Sequence, residues 1–98
     1  DAIVVANYLH RPSFDAMRGT LADDGVLVYE TFAAGNEAFG RPTNPDFLLA
    51  AGELLERVRG RLAVVAFEEG IVTRAGGQAV VQRLAAVGLR HARPWPLP

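Results

Sequence analysis

The sequence predicts an α/β fold, with parallel strands, a final antiparallel hairpin and helices packed on the faces of the sheet. Three features point to it: two continuous β-branched runs with a helical stripe between them, a second helical stripe after a long glycine-containing loop, and a double glycine dividing two last extended runs. At 98 residues, 50% of them hydrophobic and 21% charged, the chain fits one small globular domain.

The first strand is Ala2 to Ala6, richest in Ile3, Val4 and Val5, an apolar run of the kind expected of a strand buried on both faces. The polar and aromatic stretch Asn7-Tyr8-Leu9-His10-Arg11 follows. Pro12 then suits a first helical turn, where a missing N–H costs nothing. Phe14, Met17 and Leu21 form one apolar stripe of that helix, which Gly19 weakens by about 1 kcal/mol relative to Ala and Asp23-Asp24-Gly25 ends. Val26 to Phe32 is the second strand, so residues 1–32 read as a βαβ unit. Its right-handed crossover brings the polar strand ends, Asn7 to Arg11 and Glu30 to Phe32, to one edge.

Ala33 to Asn44, with Gly35, Gly40 and Pro42, has the length of a lid or binding loop and hangs over the same edge. Asn44-Pro45-Asp46 caps a short turn carrying Phe47 and Leu48. Gly52 to Arg59 presents Leu54, Leu55 and Val58 on one helical face before Gly60 stops it. Leu62 to Phe67 is a third strand, and Gly76-Gly77 joins Ile71 to Arg74 with Gln78 to Val87 as a hairpin. Val80, Val81, Leu84 and Val87 fit a helical stripe as well as a strand; the double glycine before them favours the strand. Pro94, Pro96 and Pro98 make Arg90 to Pro98 a loose tail.

Composition excludes several functions. Without cysteine there is no disulfide, thiolate metal site or thiol nucleophile. A net charge of −1 offers no footprint for nucleic acid. His10 and His91 belong to no short-spaced metal pattern, and the lone Ser13 is in no G-x-S-x-G elbow. Neither G-x-G-x-x-G nor a Walker-type loop occurs. No apolar run approaches the roughly 18 residues of a membrane span, and no signal-peptide pattern opens the chain, so the cytoplasm is the expected compartment. Asp1 runs straight into an apolar stretch, which leads us to expect residue 1 to lie inside a domain.

Ligands of open α/β sheets bind beyond the carboxyl ends of the strands, which directs attention to the two polar strand ends and the loop. Asn7 donates and accepts hydrogen bonds, Tyr8 offers a ring, and His10 titrates near neutral pH. A solvated strand-to-helix turn accounts for His10-Arg11-Pro12 equally well. Glu30, late in an apolar strand, calls for a partner such as Arg11 or a ligand unless it faces solvent. Phe39, Gly40 and Arg41 suit a substrate clamp or simply an exposed loop, and Asn44-Pro45-Asp46 reads more readily as a helix cap than as a site.

The string Asp1-Ala2-Ile3-Val4-Val5-Ala6-Asn7-Tyr8-Leu9-His10-Arg11-Pro12, with Leu21-Ala22-Asp23-Asp24-Gly25-Val26-Leu27-Val28-Tyr29-Glu30-Thr31-Phe32, resembles strands four and five of class I S-adenosylmethionine-dependent methyltransferases. Gly35-Asn36-Glu37, Phe39-Gly40-Arg41-Pro42, Asn44-Pro45-Asp46-Phe47-Leu48-Leu49 and Gly52-Glu53-Leu54-Leu55 are similar to a bacterial subgroup of that family, and the likeness runs to about Gly88. The resemblance implies a partial Rossmann-like methyltransferase sheet over residues 1–89, supplying strands four to seven of the order 3-2-1-4-5-7-6 with strand seven antiparallel. Residues 90–98 would be the tail. The glycine-rich loop after strand one and the acidic residue after strand two, which hold the cofactor in that family, have no counterpart here, so the segment alone is expected to be inactive.

By position the resemblance implicates Ala6, Asn7 and Tyr8 at the cofactor S-adenosylmethionine. It places Arg11, Thr31, Phe32, Phe39 and Arg41 at a small-molecule methyl acceptor, with His10, then Glu30, as the base if one is used. The expected partners are that acceptor and either the missing amino-terminal half or a second copy at the exposed sheet edge. Two rivals remain: a non-catalytic α/β interaction module, and half of a nicotinamide dehydrogenase, against which the antiparallel hairpin counts.

Overall fold

The computed structural model describes residues 2–21, 24–90 and 94. The expected tail therefore lies, apart from Arg90 and Pro94, outside the described residues, as do Asp1, Ala22 and Asp23. The elements in chain order are β1 (Ala2–Ala6), α1 (Arg11–Thr20), β2 (Val26–Phe32), single 3-10 turns at Asn36–Ala38 and Pro45–Phe47, α2 (Glu53–Val58), β3 (Leu62–Arg74) and β4 (Gly77–Gly88). They build an α/β structure around one mixed sheet of order β1-β2-β4-β3. β1 runs parallel to β2, with Ala2 opposite Val26 and Ala6 opposite Glu30. β4 is antiparallel to both β2 and β3, so β3 points the same way as β1 and β2.

The core lies on one face. Along β2, Leu27, Tyr29 and Thr31 are buried and alternate with half-buried Val26, Val28, Glu30 and Phe32, as the two-residue period of a strand requires. Phe14 of α1 meets the Tyr29 ring edge-on at 5.1 Å, and Leu54 and Val58 of α2 close the same cluster over Leu84 and Ala86. Each such side chain contributes roughly 1.5–3 kcal/mol by leaving water. Gly52 and Gly60, with φ of 68° and 73°, bracket α2 in the left-handed region that a side chain would strain.

Both helices thus cover the same face. The opposite face carries a row of small apolar residues in register, Val4, Val28, Ala85 and Ala66, and beside it a charged row, Glu30, Arg83 and Glu68. This corrects the expectation that β1 is buried on both faces: it alternates between exposed and half-buried residues, and Val4 is 73% exposed, because no described element lies over it. β3 is also longer than its apolar run. Glu68, Glu69 and Gly70 continue it, paired with Arg83, Gln82 and Val81 of β4; these β3 residues are themselves exposed and so need no apolar side chains. A bulge between Val64 and Ala66 shifts the register once. The hairpin outruns β2, which pairs with β4 only as far as Phe32 and Val81, so its tip projects past the carboxyl ends of β1 and β2. No helix among the described residues is long and apolar enough to cross a membrane.

Candidate functional site at the strand ends

Where β1 and β2 stop, a crevice of ≈ 370 Å³ opens. Asn7, Tyr8 and Leu9 wall it from the end of β1, Thr31 and Phe32 from the end of β2, and Pro42 and Phe47 from the loop. The parallel pairing of β1 and β2 places the first two groups side by side, and the chain turns sharply just after β1. Asn7 adopts φ of 58°, a left-handed conformation that Asn tolerates better than most side chains. Its N–H donates to the Glu30 carbonyl at 2.9 Å, and the Tyr29 hydroxyl donates to the Tyr8 carbonyl. Burial, and then the neighbouring Tyr8, push the Tyr29 phenol above its ordinary range, which keeps it a donor.

The loop is returned to the crevice by backbone and side-chain ties. Ala34 N–H donates to Leu49 O at 2.8 Å and Leu49 N–H to Phe32 O at 3.0 Å, a short parallel bridge alongside β2. Buried Asn36 receives Val80 N–H and donates to Pro42 O at 3.2 Å, and Asn44 caps the turn that carries Phe47 by accepting Asp46 N–H at 2.9 Å. The Arg41–Pro42 peptide is cis.

Arg11 fixes the far side. Its guanidinium binds Glu53 through two bonds of 2.7 and 3.0 Å and donates to the carbonyls of Asp46 and Leu48. Glu53 also accepts from Arg57 and from the Ala50 N–H. Burial alone would raise the Glu53 carboxyl, but the hydrogen bonds from Arg11, Ala50 and Arg57 outweigh it and hold the group at about 2 against an ordinary 4.5. Arg11 is thus a strut between α1, the loop and α2.

Of the residues expected at a site, Asn7, Tyr8, Thr31 and Phe32 converge on the crevice. Ala6 ends β1 beside them, opposite Glu30. His10, Arg11, Glu30, Phe39 and Arg41 lie outside its wall. His10 is exposed and hydrogen-bonds through Nδ1 to the Ser13 hydroxyl. Glu30 finds its counter-ions in Arg74 at 2.6 Å and Arg83 at 3.4 Å, not in Arg11. Phe39 and Arg41 are exposed on the loop. Leu9 and Pro42 fall within the stretches singled out from the sequence but carry no named role there, and Phe47 lies outside them; an aromatic residue directly behind a capped turn, next to a loop expected to overhang the strand ends, is the available signal for Phe47. Among the described residues no group of three or more His, Asp and Glu side chains is arranged to hold a metal ion. The chain matches no protein-family model and no curated protein sequence.

Proposed function

We propose that the chain is the acceptor side of a class I S-adenosylmethionine-dependent methyltransferase domain, its strands four to seven. The observation that carries the reading is the crevice at the carboxyl ends of two adjacent parallel strands, walled by Asn7, Tyr8, Thr31 and Phe32. The order and directions of β1, β2, β4 and β3 agree with those the resemblance implies for strands four, five, seven and six, which supports a Rossmann-like sheet.

The residues present suit the methionine end of the cofactor only. Ala6, Asn7 and Tyr8 form a pinned turn there, and nothing among the 98 residues supplies a glycine-rich loop. When bound, S-adenosylmethionine supplies a methyl group on a positive sulfonium. Transfer would be an in-line displacement: the acceptor's oxygen or nitrogen bonds to the methyl carbon as the carbon–sulfur bond breaks, the neutral thioether leaves and the acceptor's proton passes to bulk water, with alignment and limited access of water lowering the barrier. Thr31 and Phe32 meet the acceptor, and Tyr8 and Phe47 keep water out. No carboxylate or imidazole lines the wall, so His10 and Glu30 are secondary to positioning.

The test is transfer of labelled methyl by the polypeptide in its full reading frame. Asn7→Ala should lower the rate by about tenfold or more, and His10→Ala by less. Equal rates in wild type and Asn7→Ala would remove the crevice from the reaction. The 98-residue chain alone should bind S-adenosylmethionine weakly, and micromolar affinity would mean that the cofactor site is elsewhere.

A second reading, a non-catalytic module that joins another polypeptide, is favoured by β1: its outer edge has no strand partner among the described residues, and Val4 lies bare beside it. Sedimentation of the chain with and without Val4→Glu separates the two readings, since loss of an association would favour the module.

A further inference from the structure

We infer that the crevice takes an uncharged, flat aromatic molecule with a hydrogen-bonding substituent, of the phenol class. Its role as methyl acceptor rests on the proposed transferase, whereas its chemical class rests on the wall alone. That wall holds the rings of Tyr8, Phe32 and Phe47 together with Pro42, and no charged side chain. Tyr8 and Phe47 are 56% and 53% exposed, so a flat ligand between strand end and loop would cover apolar surface that now meets water. A volume of ≈ 370 Å³ is at the small end of ligand sites and suits one or two fused rings.

Among the described residues no Arg or His lines the crevice. Arg11 spends its donors on Glu53 and two carbonyls. Arg74 and Arg83 pair with Glu30 on the bare face of the sheet. Arg41 is exposed and outside the wall. A carboxylate or phosphate on the acceptor would gain no counter-ion from the wall. The polar residues of the wall, Asn7 and Thr31, are neutral donors and acceptors; Asn7 is exposed, while Thr31 is buried. They match a hydroxyl or carbonyl on a ring.

The experiment is a pair of probes on the isotope-labelled 98-residue chain, 2-naphthol and 2-naphthoate, followed by amide chemical shifts at neutral pH. The expected result is shifts of Asn7, Tyr8, Thr31 and Phe32 with 2-naphthol, and affinity for the anion weaker by about tenfold or more. Phe47→Ala and Tyr8→Leu, at half-exposed positions the core does not need, should each weaken 2-naphthol by about fivefold. Equal or tighter binding of the naphthoate, shifts centred instead on Val28, Ala66 and Arg83, or no shifts at all would overturn the assignment. Crevice binding of 2-naphthol without methyl transfer by the full-frame protein would reject the transferase and keep the ligand class. Transfer to an anionic acceptor would do the reverse.

Discussion

On the helix-covered face of the sheet, Leu27, Tyr29 and Leu84 are almost wholly buried beneath Phe14, Leu54 and Val58, while the other face leaves Val4 open to water and ends in the charged row Glu30, Arg83 and Glu68. The same strands make both faces, so the difference comes from what the chain lays over them. Stability is concentrated on the covered face. The bare one is held by exposed ion pairs, which are worth little in water. The crevice sits at neither face but where the parallel strands end, between exposed Asn7, Tyr8 and Phe47 and buried Leu9 and Thr31.

Substitutions can break this contrast. Phe14→Ala should cost about 3–5 kcal/mol in urea unfolding, against a change within about 0.5 kcal/mol for Val4→Thr. Comparable losses would show that the bare face is covered in solution. Glu53→Gln should cost about 2 kcal/mol at neutral pH, because it leaves Arg11 and Arg57 without their shared carboxylate. Since folding lowers the Glu53 value from 4.5 to about 2, its contribution is complete above 4.5 and disappears as pH falls towards 2. The wild type and the variant should therefore converge in acid, and a difference that persisted at pH 2 would contradict the ion pair. Glu30→Gln should change stability by less than about 1 kcal/mol, and added salt should shrink the effect further.

Much of the fold was legible because local pattern and tertiary demand agree. The β-branched runs at Ile3 and Val26, Pro12 in the first turn, and Gly76-Gly77 at the hairpin each impose one backbone choice. The two-sided burial expected of β1 was not found, since a sequence run does not say what lies above a strand. At the site, Asn7, Tyr8, Thr31 and Phe32 followed from the geometry of strand ends. The orientations of Arg11 and Glu30 did not, because their partners, Glu53 and Arg74, lie 42 and 44 residues away. Phe47 reaches the crevice through backbone bonds between Phe32, Ala34 and Leu49 that no periodicity announces.

The meeting of the two strand ends can be measured directly in a chain without cysteine, where Tyr8→Cys gives one attachment point for a nitroxide. The label should broaden the amides of Thr31, Phe32 and Phe47 most strongly and those of Val26 and Gly88 least. Broadening greatest at Val26 and Gly88 would put the Tyr8 end at the opposite edge of the sheet and contradict the shared crevice.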